Sequence, residues 1–424
     1  MQRLLVRGGK PLSGKYRVSG SKNAALPILA ATILLPEHSV IKNVPNLLDV
    51  ITIIRVLRAL GIRAEYSQSV PNTVDVWNYS VKHVAPYELV TKMRASFFVI
   101  GPILAVKGLA KIPLPGGCAI GSRPVDIHIK GMEALGAKVK LEHGFVIAEA
   151  KKLKGGRFYL DFPSVGATES VMMAASLADG ETLIENAAKE PEIVDLANFL
   201  IKAGAQIVGA GSDVIRVQGV KQLRPVEYSI IPDRIEAGTI MAAAAITNGK
   251  VTIEGIIPEH LEAIARKLQE SGVKVTFLAD TVEVDATGDH FKAVDVKTMP
   301  FPGFPTDMQP QMAAFLALAG GTSVVSETIF ENRFMHMHEL RRLGADIKLE
   351  GQSAIINGVA KLSGAPVKVS DLRAGAALLI AGLAADGETS LEDRDHHISR
   401  GYENIIEKLR GIGGDVSKAV IHVP

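Results

Sequence analysis

Six glycines, at positions 61, 136, 204, 272, 344 and 413, each close a leucine-rich helical segment and open a short alternating one. Clear copies are Leu57-Arg58-Ala59-Leu60-Gly61-Ile62-Arg63-Ala64-Glu65 and Leu340-Arg341-Arg342-Leu343-Gly344-Ala345-Asp346-Ile347-Lys348. Successive glycines are 75, 68, 68, 72 and 69 residues apart. A fixed period of this length marks a repeated supersecondary unit that buries its apolar faces against its own copies. Each glycine suits the position just past a helix, where a left-handed residue closes the last turn and turns the chain into a strand. Upstream lies a second, alanine-rich helix followed by a strand, as in residues 170–178 with 180–185, 238–247 with 250–254, and 375–385 with 387–391. A helix apolar nearly all round is buried among other elements. Each unit therefore pairs one inner and one outer helix with several strands, an α/β arrangement.

Three units precede residue 231 and three follow it, so the chain reads as two similar domains. The first spans 22–231; the second takes 1–21 together with 232–424. Residues 3–18 look like strands detached from any complete unit and pair with the second half in this reading. A cleft between two like halves is a usual place for a ligand. An elongated solenoid is the alternative that the period alone leaves open.

Bulk properties narrow the function. Apolar residues make up 47% of the chain and charged residues 22%, the balance of a globular protein. A net charge of +2 supplies no field to hold nucleic acid or an anionic membrane. The longest apolar runs, 96–106 and 374–385, are shorter than the roughly 20 residues a spanning helix needs. No signal-like apolar core stands at the start. One cysteine rules out an internal disulfide framework and fits a reducing compartment, so a cytoplasmic protein is expected. His336 with His338, and His396 with His397, lack the partners of a zinc pattern, and no metal or cofactor is expected.

That cysteine, Cys118, stands in Pro113-Leu114-Pro115-Gly116-Gly117-Cys118-Ala119-Ile120-Gly121-Ser122-Arg123-Pro124-Val125-Asp126-Ile127-His128. Four of the five residues before it are glycine or proline, which predicts a mobile surface loop. A thiol five residues before an arginine sits where cations favour a thiolate. A lone cysteine is equally a small buried hydrophobe, and the loop by itself does not decide.

Other polar groups interrupt apolar sequence. Lys22 and Asn23 stand at the start of a buried helix, where free backbone N–H groups suit an anion; a solvated lysine near a cap explains Lys22 as well. Arg94 precedes an apolar run and can snorkel from a helix end. His128 reads as a structural histidine. Asp307, after the proline-rich stretch 300–305, is either an N-cap or a base presented to a cleft. Arg333, Arg373 and Arg400 occupy junctions of the last two units. Converging arginines imply a small substrate with more than one negative group, and scattered solvated arginines are the alternative.

Taken together, these motifs resemble the UDP-N-acetylglucosamine 1-carboxyvinyltransferases, enolpyruvyl transferases of peptidoglycan precursor synthesis. The resemblance runs end to end, through Ser19-Gly20-Ser21-Lys22-Asn23-Ala24-Ala25-Leu26-Pro27, Met93-Arg94-Ala95-Ser96, the Cys118 loop, Ser164-Val165-Gly166-Ala167-Thr168-Glu169, Phe304-Pro305-Thr306-Asp307-Met308-Gln309 and Asp371-Leu372-Arg373-Ala374-Gly375. It implies two inside-out α/β prisms of three βαβαββ units each. It also implies that phosphoenolpyruvate and UDP-N-acetylglucosamine react, by addition and elimination through a tetrahedral intermediate, to give the 3-O-enolpyruvyl sugar nucleotide and phosphate. By the same resemblance Cys118 is the proton donor to phosphoenolpyruvate and Asp307 the base for the sugar 3-hydroxyl. Lys22, Arg123, Arg373 and Arg400 surround the phosphate and carboxylate, and Asn23, Arg94, Asp126 and Ile329 lie near the sugar nucleotide. Pro124, Val125, Ile127, Ser164, Val165, Gly166 and Asp371 complete the binding set.

One departure stands out: Asp161-Phe162-Pro163 occupies a segment where some members carry a lysine. Two rivals follow from the resemblance. One is the related transferase acting on shikimate 3-phosphate, against which stand Asn23 and the cysteine loop; the other is a catalytically silent sugar-nucleotide-binding copy, against which stands the complete set of polar residues. Arginines in both halves serving one small substrate imply domain closure on binding.

Overall fold

The computed structural model of the chain describes residues 2–115, 125–288 and 291–420. They fall into two compact units, divided after Ser19 and after Ile231. Gly20 and Ser21 belong with the Lys22–Ala31 helix, because Ser21 caps it by accepting a hydrogen bond from the Ala24 amide at 3.3 Å. In each unit, three sheets surround an interior of apolar helices, the inside-out arrangement of an α/β prism.

In the unit built from residues 20–115 and 125–231, a full repeat runs strand, inner helix, strand, outer helix, then two strands, and in the second repeat the first strand is reduced to a single parallel bridge between Val84 and Lys111. Its inner helices are Lys22–Ala31, Ile100–Lys107 and Val165–Ala175. One sheet orders its strands as Glu227–Ser229, Glu37–Lys42, Val74–Asn78 and Arg63–Tyr66, the first pair parallel and the rest antiparallel. Its first strand comes from the far end of the unit, so this first repeat is closed by residues that follow the third. A second sheet, Arg157–Tyr159, Glu181–Glu185, Val214–Gln218 and Gln206–Val208, has the same order.

The other unit closes in the same way. Its inner helices are Arg234–Ile246, Gln309–Leu316 and Leu372–Ala384, and these pack on one another. The Ser13–Arg17 strand lies parallel to Lys250–Glu254 with Lys15 opposite Thr252, and supplies the first strand of that repeat. The Gln2–Arg7 strand lies antiparallel between Glu388–Glu392 and Asp415–Val420, with Leu5 opposite both Ser390 and Ser417. It occupies the place that Thr281–Asp285 and Ser353–Asn357 hold in the sister sheets.

All six repeat glycines have φ between +84° and +106°. At each, the amide of the following residue donates to the carbonyl five residues back, as Ile62 does to Leu57 at 3.0 Å and Ala205 to Leu200 at 2.9 Å. This bond and the left-handed glycine end the outer helix and bury the leucine or methionine at its foot. Inner helices approach one another through small residues. A Cβ added at Gly101 would meet the Ser170 carbonyl oxygen at 2.3 Å.

Candidate active site

Lys22 is the first residue of its helix and is buried rather than solvated. Its Nζ donates to Asp49 Oδ2 at 3.0 Å, with the two side chains 8% and 6% exposed. Asp49 lies in the first turn of the Leu48–Ala59 helix, where a carboxylate is favoured by the positive end of the helix. The pair therefore fixes a cation at the start of an inner helix. Asn23, beside it, is half-buried.

Arg94 opens the Arg94–Val99 turn of helix and is half-buried. Its charge acts on His128, which is buried, shares a 3.0 Å hydrogen bond between Nδ1 and Ser170 Oγ, and meets Phe97 edge-on at 5.3 Å. Burial, reinforced by Arg94, pushes the His128 imidazole down to about 3, so it is neutral and structural. Asp126 is exposed at the start of the Asp126–Ala134 helix, with Val125 buried and Ile127 half-buried. Ser164 caps the Val165–Ala175 helix through the Ala167 amide at 3.4 Å, and Val165 and Gly166 are half-buried at its first turn. Phe162 is 43% exposed.

The most organised polar group is centred on Asp307. It does not cap the helix that follows; it sits inside the short Thr306–Met308 turn, for which Pro305 is the N-cap residue. Arg333 Nη2 donates to Asp307 Oδ1 at 2.9 Å, and Arg373 Nε and Nη2 donate to Oδ2 at 3.2 and 2.9 Å. Both guanidinium groups are almost wholly buried, at 3% and 1% exposed, while Asp307 keeps 25% of its side chain accessible. Burial is the largest single influence and works against the Arg373 charge, but the Asp307 carboxylate together with Tyr402 and Asp233 outweighs it, and its pKa is raised. Arg333 Nε is buried with no hydrogen-bond acceptor among the described residues, while the Arg373 guanidinium also lies 5.4 Å from the centre of the Tyr402 ring. The arrangement thus offers an accessible carboxylate backed by two buried cations, a combination suited to accepting a proton beside a bound anion.

Asp371 positions Arg373. It caps the Leu372–Ala384 helix, its Oδ1 accepting from the amides of Arg373 at 2.9 Å and Ala374 at 3.0 Å. Arg400 lies in the last turn of the His397–Gly401 helix and is half-buried, as is Ile329. Buried His336 is held down to about 4 by burial, Asp371 pulling the other way and Arg333 adding to the fall. Cys118, Arg123 and Pro124 lie outside the described residues. Among those described, no group of three or more His, Cys, Asp or Glu could hold a metal ion, and no helix is long and apolar enough to cross a membrane.

Sequence reasoning missed Asp49 and Glu327. Asp49 carries no local mark beyond its place in the first turn of a helix. Glu327 is 1% exposed and sits just past the Thr322–Ser326 strand, in the tract that leads to Arg333.

Comparison with known proteins identifies the architecture and the branch. The family model described as EPSP synthase (3-phosphoshikimate 1-carboxyvinyltransferase) matches residues 6–409. The UDP-N-acetylglucosamine 1-carboxyvinyltransferase 1 of Caldanaerobacter subterraneus is 54% identical over 98% of this chain and 99% of its own. The UDP-N-acetylglucosamine 1-carboxyvinyltransferase of Gloeobacter violaceus is 54% identical over 99% of this chain and 91% of its own. Among solved structures, the enolpyruvyl transferase NikO from Streptomyces tendae superposes with a TM-score of 0.88 at 26% identity, over 98% of each chain. An EPSP synthase from Acinetobacter baumannii gives 0.77 at 18% identity over 99% of this chain and 100% of its own, a likeness of fold alone. The chain belongs to the enolpyruvyl transferase family, in the branch of the UDP-N-acetylglucosamine 1-carboxyvinyltransferases.

Proposed function

We infer that the protein transfers the enolpyruvyl group of phosphoenolpyruvate to the 3-hydroxyl of UDP-N-acetylglucosamine and releases phosphate, the first committed step of peptidoglycan precursor synthesis. The observation that carries this reading is identity of 53–54% over nearly the whole chain to relatives bearing that name, against 18% to the shikimate-phosphate enzyme. No cofactor is required, because the leaving phosphate supplies the driving group.

Each residue has a proposed part. Asp307 takes the proton of the sugar 3-hydroxyl as the oxygen bonds to C2 of phosphoenolpyruvate, and Cys118 delivers a proton to C3. The tetrahedral intermediate then returns a C3 proton to the Cys118 thiolate and breaks its C2–O bond to phosphate, which restores the double bond and the thiol, while the proton held by Asp307 leaves with the phosphate. Lys22, Arg123, Arg373 and Arg400 balance the charge on the phosphate and carboxylate. Asn23, Arg94, Pro124, Val125, Asp126, Ile127, Ser164, Val165, Gly166, Ile329 and Asp371 serve the binding of substrate. Support for Asp307 comes from its accessibility between two buried guanidiniums. A cytoplasmic location is part of the same reading, since both substrates are intracellular metabolites by their chemistry and the chain has one cysteine.

The test is phosphate release from phosphoenolpyruvate with UDP-N-acetylglucosamine and with shikimate 3-phosphate as separate acceptors. Release with the sugar nucleotide alone is expected. Release only with shikimate 3-phosphate, or with neither, overturns the reading.

A further inference from the structure

Glu327 is nearly sealed from solvent, yet among the described residues no lysine or arginine forms an ion pair with it. Four donors converge on its carboxylate instead. Oε1 accepts from Thr298 Oγ1 at 2.8 Å, from the Ile329 amide at 2.8 Å and from the Phe330 amide at 3.2 Å; Oε2 accepts from Thr306 Oγ1 at 2.9 Å. A carboxylate buried at this cost is retained where its acceptor capacity does something that an apolar side chain cannot.

Thr306 shows what that is. Its hydroxyl has one proton, which goes to Glu327, and its oxygen accepts from Arg333 Nη1 at 2.9 Å. Glu327 therefore dictates the direction of the hydroxyl, leaving a lone pair turned toward Arg333. Arg333 in turn places Nη2 on Asp307 Oδ1. From the same carboxylate, the amides of Ile329 and Phe330 are held in a turn.

We propose that Glu327 is a positioning residue for the transfer reaction, acting on the base Asp307 through Thr306 and Arg333, and on the sugar-nucleotide contact Ile329 through its backbone amide. The inference rests on the roles given to Asp307 and Ile329 under the proposed function. Replacing Glu327 by glutamine keeps its shape but puts an NH2 donor where an acceptor stood. If that donor faces Thr306, the hydroxyl receives two donors and turns its proton away; if it faces the other way, it meets the Thr298 hydroxyl and two amide donors.

The experiment is steady-state kinetics of Glu327→Gln, Thr306→Val and Thr306→Ser, with Asp307→Asn as reference and thermal unfolding measured in parallel. Thr306→Val should lower kcat 10-fold or more with both KM values within about threefold, and move the acid limb of the kcat pH profile. Thr306→Ser, which keeps the hydroxyl, should restore most of the rate. Glu327→Gln should lower kcat and also raise KM for UDP-N-acetylglucosamine several-fold. A purely structural role would lower the melting temperature without that split and without rescue by serine. Wild-type kcat in both Glu327→Gln and Thr306→Val, with turnover lost in Asp307→Asn, overturns the relay alone. Full turnover in Asp307→Asn overturns the base assignment and the relay with it.

Discussion

Arg373 grips one oxygen of Asp307 with two of its nitrogens, Nε at 3.2 Å and Nη2 at 2.9 Å, from a position 66 residues further along the chain. A guanidinium can make this forked contact and an ammonium cannot. Arg373→Lys should therefore lose about 100-fold in kcat/KM, on the order of 3 kcal/mol of transition-state stabilisation. Steady-state phosphate release checks this, and a loss under threefold would show that the fork is dispensable.

Removing the carboxylate is a different injury. Asp307→Ala leaves two buried guanidiniums facing each other, and breaking a buried pair from one side costs about 3–5 kcal/mol. Urea unfolding of the unit that contains it should show a lowered midpoint in Asp307→Ala and a smaller fall in Asp307→Asn.

The Lys22–Asp49 pair makes the matching case in the other unit. Asp49→Asn should raise KM for phosphoenolpyruvate at least 10-fold and lower stability, because a cation stays buried without its countercharge. Lys22→Met with Asp49→Leu should recover stability and leave activity abolished. Equilibrium unfolding alongside kinetics separates the two effects.

Cys118 can be tested by chemistry. Cys118→Ala should lose turnover and resist alkylation by fosfomycin, whereas Cys118→Asp, with an ionisable acid in its place, should keep part of the turnover. Mass spectrometry after fosfomycin treatment and a phosphate-release assay give both answers, and full activity in Cys118→Ala would remove the proton-donor role.

The His128 imidazole, held down to about 3 in the fold against 6.5 in an unfolded chain, makes stability depend on pH. A histidine with a lowered folded pKa contributes stability above the unfolded value and loses it as pH falls toward the folded one. Between pH 6.5 and 3 the loss is on the order of 3–5 kcal/mol at most. His128→Asn, which cannot take up a proton, should start less stable at pH 7.5 and close the gap with wild type by pH 4, as read by chemical denaturation at each pH.

How much of this was legible depends on the range of the interaction involved. The six glycines were legible because a helix end needs a left-handed residue at one position and only glycine takes it freely. The inner helices were legible because their polar faces are missing. The surroundings of Asp307 were not. An aspartate after a proline-rich turn has the pattern of an N-cap, and its two arginines come from 26 and 66 residues away. Lys22 read more easily as solvated because nothing nearby announces Asp49, one helix further on. Glu327 gave no sign at all, for its donors are two threonines and two backbone amides drawn from three segments.

The Gln2–Arg7 strand lies between Glu388–Glu392 and Asp415–Val420, and so the unit it completes is interrupted by another unit. During synthesis, residues 2–7 leave the ribosome long before their two partners exist. Closing a flexible loop of that length would cost about 5 kcal/mol in chain entropy. The contiguous unit, residues 20–231, has all three of its repeats in hand as soon as it is made. Folding it first replaces about half of the loop with a compact body whose two ends are already held side by side, since the Ser21 amide donates to the Ile231 carbonyl at 2.8 Å. The connectivity thus favours one order of assembly: the inserted unit acts as a clamp that delivers the Gln2–Arg7 strand to a sheet finished last.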